Sequence, residues 1–110
     1  MANLRWKNLV LPGLYYAAIL CASLLPQERI ESVPLPNDKF LHLAAYGGLG
    51  FLLAPLPAPA PALAAVGALC GALDEQVQRL SPGRHVSMAD WLADVVGIGI
   101  GLALGRALRR

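Results

Sequence analysis

Residues 88–108 read MADWLADVVGIGIGLALGRAL, an apolar run that carries Asp90 and Asp94 near its start and Arg106 near its end. An α-helix rises 1.5 Å per residue, so about 20 apolar residues cross the roughly 30 Å hydrocarbon core of a bilayer. No water is available there to bond the backbone, and a helix satisfies its own N–H and C=O groups. The segment therefore predicts a transmembrane helix.

The rest of the chain has the same apolar character. Of its 110 residues, 56% are hydrophobic and 15% are charged, against roughly 25% charged residues in a soluble domain. This hydrophobicity excludes a disordered chain, and the net charge of +2 comes from scattered residues instead of the basic patch of a DNA-binding protein. We expect an all-α integral membrane bundle of four transmembrane helices in one domain, residues 1–110, with spans at about 9–25, 40–56, 59–77 and 88–108.

Three connections separate the four predicted spans. Residues 26–39 and 79–87 are polar, whereas residues 55–61 read PLPAPAP, which cannot maintain a helical hydrogen-bond ladder. The first span has an alternative interpretation as a cleaved signal peptide, because basic residues precede its apolar run. A retained helix is favoured, since the run is long for a signal peptide and residues 21–23 form a weak cleavage site.

The basic residues indicate the orientation of the spans. Five lie at the ends of the chain and four in the two polar connections, namely Arg5, Lys7, Arg106, Arg109 and Arg110 against Arg29, Lys39, Arg79 and Arg84. Segments on the cytoplasmic side are enriched in Lys and Arg. The ends are shorter than the connections and so carry basic residues at higher density, which predicts that both termini are cytoplasmic.

Polar residues far apart in the sequence are expected to meet at one end of this bundle. An even number of crossings places the connections after the first and third spans on the same side of the membrane. Asp94 shares a helical stripe with Gly97 and Gly101, so it should face a neighbouring helix. Charged groups in hydrocarbon are costly, and they pair or face a cavity. The candidate binding residues are Asp38, Lys39, His42, Glu75, Gln78, Arg84, Asp90 and Asp94.

Six of the eight candidates also have a purely structural interpretation. The structural alternatives are helix N-caps for Asp38 and Asp90, headgroup contacts for Lys39 and Arg84, hydrogen bonding between helices for Gln78, and a hydrogen-bonded buried imidazole for His42. Asp74 and His85 are expected to be solvated. The hypothesis of a binding site therefore depends on the convergence of the set and not on any one residue.

Glycines spaced four apart predict a close helix contact. Gly97, Gly101 and Gly105 lie on the fourth span, and Gly67 and Gly71 lie on the third. Small residues at this spacing allow two helix backbones to approach closely, although glycine is also common in membrane helices in general. We expect the third and fourth spans to pack closely against each other.

Several short motifs follow one another between the apolar spans. They are Asp38-Lys39 with His42 and Tyr46, Glu75 with Gln78, Pro82-Gly83-Arg84, and Asp90 with Asp94 and Gly97. This ordered set, over roughly residues 37–105, resembles the VanZ-like family of small bacterial membrane proteins. The resemblance implies a multi-spanning protein of the bacterial inner membrane. Where the family usually has asparagine, this chain has Asp94, a titratable group in place of a neutral amide.

The family takes its name from resistance to glycopeptide antibiotics such as teicoplanin, which bind cell-wall precursors. The first functional expectation is a non-enzymatic protein that binds an anionic lipid-linked or cell-wall group at its outer face through Lys39 and Arg84. The alternative is a membrane-embedded enzyme that uses His42 and carboxylates for acid/base or metal-assisted chemistry. A transporter formed by oligomerisation and a purely structural polar network are further alternatives. The expected partners are membrane lipids and a candidate lipid-linked cell-wall precursor, with no nucleic acid, no cofactor and no metal.

Overall fold

The computed structural model describes residues 6–24, 38–80 and 88–109, which form four α-helices. The helices are α1 (Lys7–Ser23), α2 (Asp38–Leu53), α3 (Ala60–Gln78) and α4 (Met88–Ala107). These residues contain no β-strand, so the predicted all-α class is confirmed for them. Each helix begins and ends within three residues of the span predicted from the sequence.

Within the described ranges, length and composition identify α4 as a candidate membrane span. The other helices are shorter or more polar. α1 and α2 have 17 and 16 residues, and the last five residues of α3 include Asp74, Glu75 and two glutamines. A bundle in which all four helices cross a bilayer therefore stays a prediction at this point.

The proline-rich segment separates α2 from α3, as its sequence predicted. α2 ends at Leu53, two residues before Pro55. Pro61 lies in the first turn of α3, where the missing N–H removes no helical hydrogen bond. The two helices thus turn back on each other within a few residues, which places the end of α2 beside the start of α3.

Arg106 near the end of α4 stabilises this turn through three backbone carbonyl groups. Its Nε donates to the carbonyl oxygen of Ala54 at 3.1 Å. Its Nη2 donates to the carbonyl oxygens of Leu56 and Ala58 at 3.2 and 2.5 Å. The last carbonyls of a helix have no partner within the helix, so the guanidinium supplies donors that the prolines of this segment cannot.

The most extensive helix contact joins α2 and α4. A Cβ atom on Gly97 would lie 2.5 Å from the Leu43 carbonyl oxygen and 2.9 Å from the Gly47 nitrogen, so the two backbones touch there. Gly101 and Gly105 continue this contact along α4. The expected close packing of the third and fourth spans is present through side chains, but the closest backbone contact of α4 is with α2, which has Gly47 at the crossing.

α3 also contacts α4, but through side chains instead of backbone. The space left by Gly67 holds the Ile98 side chain, which a Cβ atom would meet at 2.5 Å. Gly71 leaves room for Asp94 and Trp91 in the same way. The glycines of α3 thus admit larger side chains of α4 and help to bury a carboxyl group between the two helices.

The helices expose apolar side chains and bury polar ones. Leu92, Val96, Ile100 and Leu104 form an outward stripe on α4, each 49–55% exposed. The buried polar side chains are, by contrast, Ser23, His42, Asp74, Glu75, Gln78, Asp90 and Asp94, here called the polar cluster. An apolar core, which includes Tyr46, Leu49 and Ile98, is buried between the helices as well. Charged side chains of soluble proteins are almost never fully buried unless they are paired, so the buried carboxyl groups are the unusual feature of this bundle.

Candidate functional site

The polar cluster lies at one end of the bundle. Helix direction explains why: α1 and α3 end there, and α2 and α4 begin there. Its hydrogen-bonded pairs join positions up to 52 residues apart, as in His42 of α2 with Asp94 of α4 and Ser23 of α1 with Asp74 of α3. The convergence that the sequence predicted from an even number of crossings is therefore present in the described residues.

His42 lies among three carboxyl groups. Its Nδ1 is 2.8 Å from Oδ1 of Asp94 and 3.6 Å from Oε1 of Glu75. Its Nε2 is 3.8 Å from Oδ2 of Asp90. The imidazole can thus donate a hydrogen bond to Asp94 on one side and face a second carboxylate with its other nitrogen, an arrangement that determines the orientation of the ring.

Lys39 lies at the outer edge of the polar cluster. Its Nζ is 3.3 Å from Oδ1 of Asp90, and its side chain is 57% exposed. Asp90 therefore connects the exposed ammonium to the buried imidazole of His42. The pair can hold the ammonium in place, although an exposed ion pair contributes little to stability.

Asp74 is buried, and the expectation that it would be solvated is wrong. Only 1% of the residue is exposed. Tyr46 Oη donates to its Oδ2 at 2.8 Å, Ser23 Oγ donates to its Oδ1, and Gln78 Nε2 approaches Oδ2 at 3.5 Å. Asp74 joins α1, α2 and α3. Its helical spacing from the α3 glycines was the signal that could have identified it.

Glu75 and Asp94 differ from Asp74 in having acceptor atoms without a donor. Both carboxylate oxygens of Glu75 and Oδ2 of Asp94 are buried and have no hydrogen-bond partner in the described structure. Within residues 6–24, 38–80 and 88–109, the cluster contains four carboxyl groups, and the basic groups near them are the His42 imidazole and the Lys39 ammonium. Its chemistry thus favours cations at the buried end and an anion only at the exposed ammonium.

Two open spaces border the cluster. A cavity of about 130 Å³ between α1, α2 and α3 reaches His42 and Asp74. A shallow groove of about 440 Å³ runs between α2 and α4, with Lys39 at one end and apolar residues along the rest of its length, among them Phe40, Leu43, Leu92 and Val96. The cavity thus reaches the imidazole of His42, and the groove begins at the ammonium of Lys39.

The structure brings together six of the eight candidate residues. His42, Glu75, Asp90 and Asp94 form the centre, Lys39 joins through Asp90, and Gln78 joins through Asp74. Arg84 and the side chain of Asp38 lie outside the described residues, as does His85, and the predictions made for them stay predictions. Ser23 and Asp74 belong to the cluster and were not among the candidates.

Comparison with protein-family models, with curated proteins and with solved structures finds no match for this chain.

Proposed function

We propose that this chain is a multi-spanning membrane protein of the VanZ-like type, resident in the bacterial inner membrane with both termini in the cytoplasm. In this proposal the polar cluster lies near the outer leaflet and the Lys39 end of the α2–α4 groove binds an anionic lipid-linked group. A lipid-linked cell-wall precursor has this chemistry, and the link to glycopeptide resistance comes from the family resemblance.

The distribution of polar and apolar side chains supports the membrane part of the proposal. The outward stripe of α4 from Leu92 to Leu104 is half-exposed, whereas Asp94 on the opposite face has no exposure. Exposed apolar surface of this extent marks a surface that contacts something other than water. The long dimension of 47 Å also matches a bilayer with its headgroups, about 40–45 Å.

Cysteine labelling tests the topology. With Cys21 and Cys70 replaced by serine, Lys39→Cys should react in intact cells with a membrane-impermeant maleimide, because Lys39 lies at the outer end of the bundle. Arg109→Cys, an exposed position at the other end, should react only after the membrane is permeabilised. Labelling of both positions in intact cells, or of neither, would contradict the four-span arrangement.

The shape and charge of the α2–α4 groove carry the functional part of the proposal. An amphipathic lipid needs an apolar track for its chain and a cation for its phosphate. Phe40 and Leu43 of α2 face Leu92 and Val96 of α4 along the groove, and Lys39 stands at the polar end. The ammonium has three N–H donors. One of them bonds to Asp90, so another can contact a phosphate oxygen.

A lipid-binding measurement tests the groove. The full chain in nanodiscs is mixed with a polyprenyl phosphate or with neutral phosphatidylcholine, and bound lipid is measured by native mass spectrometry. Lys39→Gln should weaken binding of the anionic lipid by about fivefold, the effect of roughly 1 kcal/mol for a partly exposed ion pair. Binding of phosphatidylcholine should not change.

Lys7→Gln is the matched control, because Lys7 is exposed at the opposite end of the bundle. It should leave binding of the anionic lipid unchanged. Equal losses in the two variants would show a general attraction of the lipid to basic residues and would contradict a site at Lys39. Adding Arg84→Gln extends the test to the second predicted cation.

One observation favours the alternative function of a membrane-embedded enzyme. His42 and Asp94 form a buried imidazole–carboxylate pair at 2.8 Å, and a cavity reaches the ring. Such a pair is suited to general acid/base catalysis. The same lipid experiment distinguishes the two functions: cleaved lipid that disappears in His42→Gln supports an enzyme, whereas intact bound lipid supports a binding protein.

A further inference from the structure

Glu75 is a buried carboxylate that lacks donors within the described part of the chain. Only 2% of the residue is exposed, and neither Oε1 nor Oε2 has a hydrogen-bond partner. Oδ2 of Asp94, which is fully buried, has none either. Buried polar atoms in folded proteins are rarely left without a partner. These three oxygen atoms therefore lie where a positively charged or proton-donating partner would be stabilised.

The neighbouring Asp74 shows what a structural carboxylate requires at the same depth. It lies one residue earlier on the same helix and accepts hydrogen bonds from Tyr46 and Ser23, with Gln78 in reach. Glu75 instead faces His42, whose Nδ1 is 3.6 Å from Oε1. The lack of donors at Glu75 is therefore specific to the side facing the imidazole and is not a general property of this end of α3.

His42, Glu75 and Asp94 each offer one ligand atom, and these atoms all lie within 4.8 Å of one another. Some point then lies within about 2.8 Å of all three, and bonds from zinc to nitrogen or oxygen are about 2.0–2.2 Å. Side-chain movements of less than about 1 Å would bring the three atoms to bonding distance. We propose that His42, Glu75 and Asp94 bind a divalent transition-metal ion.

The donor set indicates which ions fit. One imidazole and two carboxylates suit Zn²⁺ or Mn²⁺ better than the thiolate-seeking ions. Three protein ligands leave a position open for water or a substrate oxygen, as in catalytic rather than structural zinc sites. Asp90 faces the other ring nitrogen of His42 at 3.8 Å, and metal-binding histidines usually have such a carboxylate on the nitrogen that does not bind the metal.

This inference goes beyond the proposed lipid binding and does not depend on it. Lys39 is not a ligand, so loss of lipid binding in Lys39→Gln leaves the ion site intact. The competing explanation for the unpartnered oxygens is a proton shared between Glu75 and Asp94, which would leave no affinity for a metal ion. The cavity of about 130 Å³ is lined by His42 and Asp74, so it borders the residue that supplies the nitrogen ligand.

Zinc binding by the full chain tests the proposal. Protein purified in detergent and stripped with a chelator is titrated with Zn²⁺, and bound zinc is counted by mass spectrometry after desalting. One ion per chain is expected, with a rise in the thermal unfolding temperature, because a ligand that binds only the folded state stabilises it. Co²⁺ in place of Zn²⁺ should give visible absorption bands of a bound ion.

Glu75→Gln should weaken zinc binding by more than about tenfold, since loss even of outer-shell partners costs about 10–100-fold. Asp94→Asn, a second ligand variant, replaces Glu75→Gln in the test if Glu75→Gln does not fold, and the same loss of zinc binding is expected. Asp74→Asn is the matched control from the adjacent buried position, and it should bind one ion with the affinity of the original chain. Less than one zinc ion per unsubstituted chain, or equal affinity in Glu75→Gln and Asp74→Asn, would overturn the proposal.

Discussion

Gly101→Ala is expected to lower the free energy of unfolding by about 1–3 kcal/mol, the usual cost of forcing an extra methyl group into a closely packed contact. The new Cβ atom would overlap the carbonyl oxygen of Gly47 and lie 2.7 Å from the backbone nitrogen of Phe51. Both are backbone atoms and cannot move aside as a flexible side chain would. α2 and α4 would have to separate along their main contact.

Gly99→Ala is the matched control for this substitution. It makes the same change two residues away on the same helix, where a Cβ atom would meet nothing within 4 Å. Its free energy of unfolding should be unchanged or slightly higher, since alanine favours a helix over glycine. The measurement is reversible unfolding in mixed micelles followed by circular dichroism. A loss of the same size in both variants would mean that helix propensity, and not the α2–α4 contact, determines the effect.

Asp74→Ala is expected to destabilise the chain by about 1–3 kcal/mol, the cost of leaving a buried polar group unpaired. The group left behind is the Tyr46 hydroxyl, on a residue that is 1% exposed and donates to Asp74 Oδ2 at 2.8 Å. Ser23 would lose the same acceptor, but its single hydroxyl proton can be donated to the Ile19 carbonyl oxygen, 2.9 Å away. The effect of Asp74→Ala should therefore depend strongly on Tyr46.

A double-mutant cycle measures that dependence. Tyr46→Phe alone removes one hydrogen bond and should destabilise the chain, because it leaves Asp74 with one donor fewer. In the Asp74→Ala background the same substitution removes an unpaired hydroxyl and should cost nothing or restore stability. Strong non-additivity is expected for two residues in one network. Additive losses, measured by the same unfolding method, would show that Asp74 and Tyr46 act independently.

The helices could be predicted because their signals are local. The apolar runs and the prolines at 55–61 determine where helices begin and end without reference to any other part of the chain. The meeting of His42 with Asp94 could also be predicted, since two helices that begin at the same end of a bundle bring their N-terminal halves together. Both features depend on the order and length of segments, which the sequence contains.

The pairing of helices and the burial of Asp74 could not be predicted in the same way. A stripe such as Gly97 and Gly101 indicates that some backbone approaches closely, but α2 and α3 both carry glycines that could meet it. Asp74 and Glu75 are adjacent acidic residues that the sequence does not distinguish. In the structure, hydrogen-bond donors surround the Asp74 carboxylate, whereas the Glu75 carboxylate has none among the described residues. That difference comes from α1 and α2, whose side chains reach Asp74 only after the tertiary structure has formed.

The pairing of α2 with α4 has a consequence for biosynthesis. These two helices are separated in the chain by α3, so α2 leaves the ribosome well before the segment that will cover its glycines. Contacts between distant segments form late, because the intervening chain must first be in place. A nascent chain therefore holds His42 in a half-built environment until α4 has been translated and packs against α2.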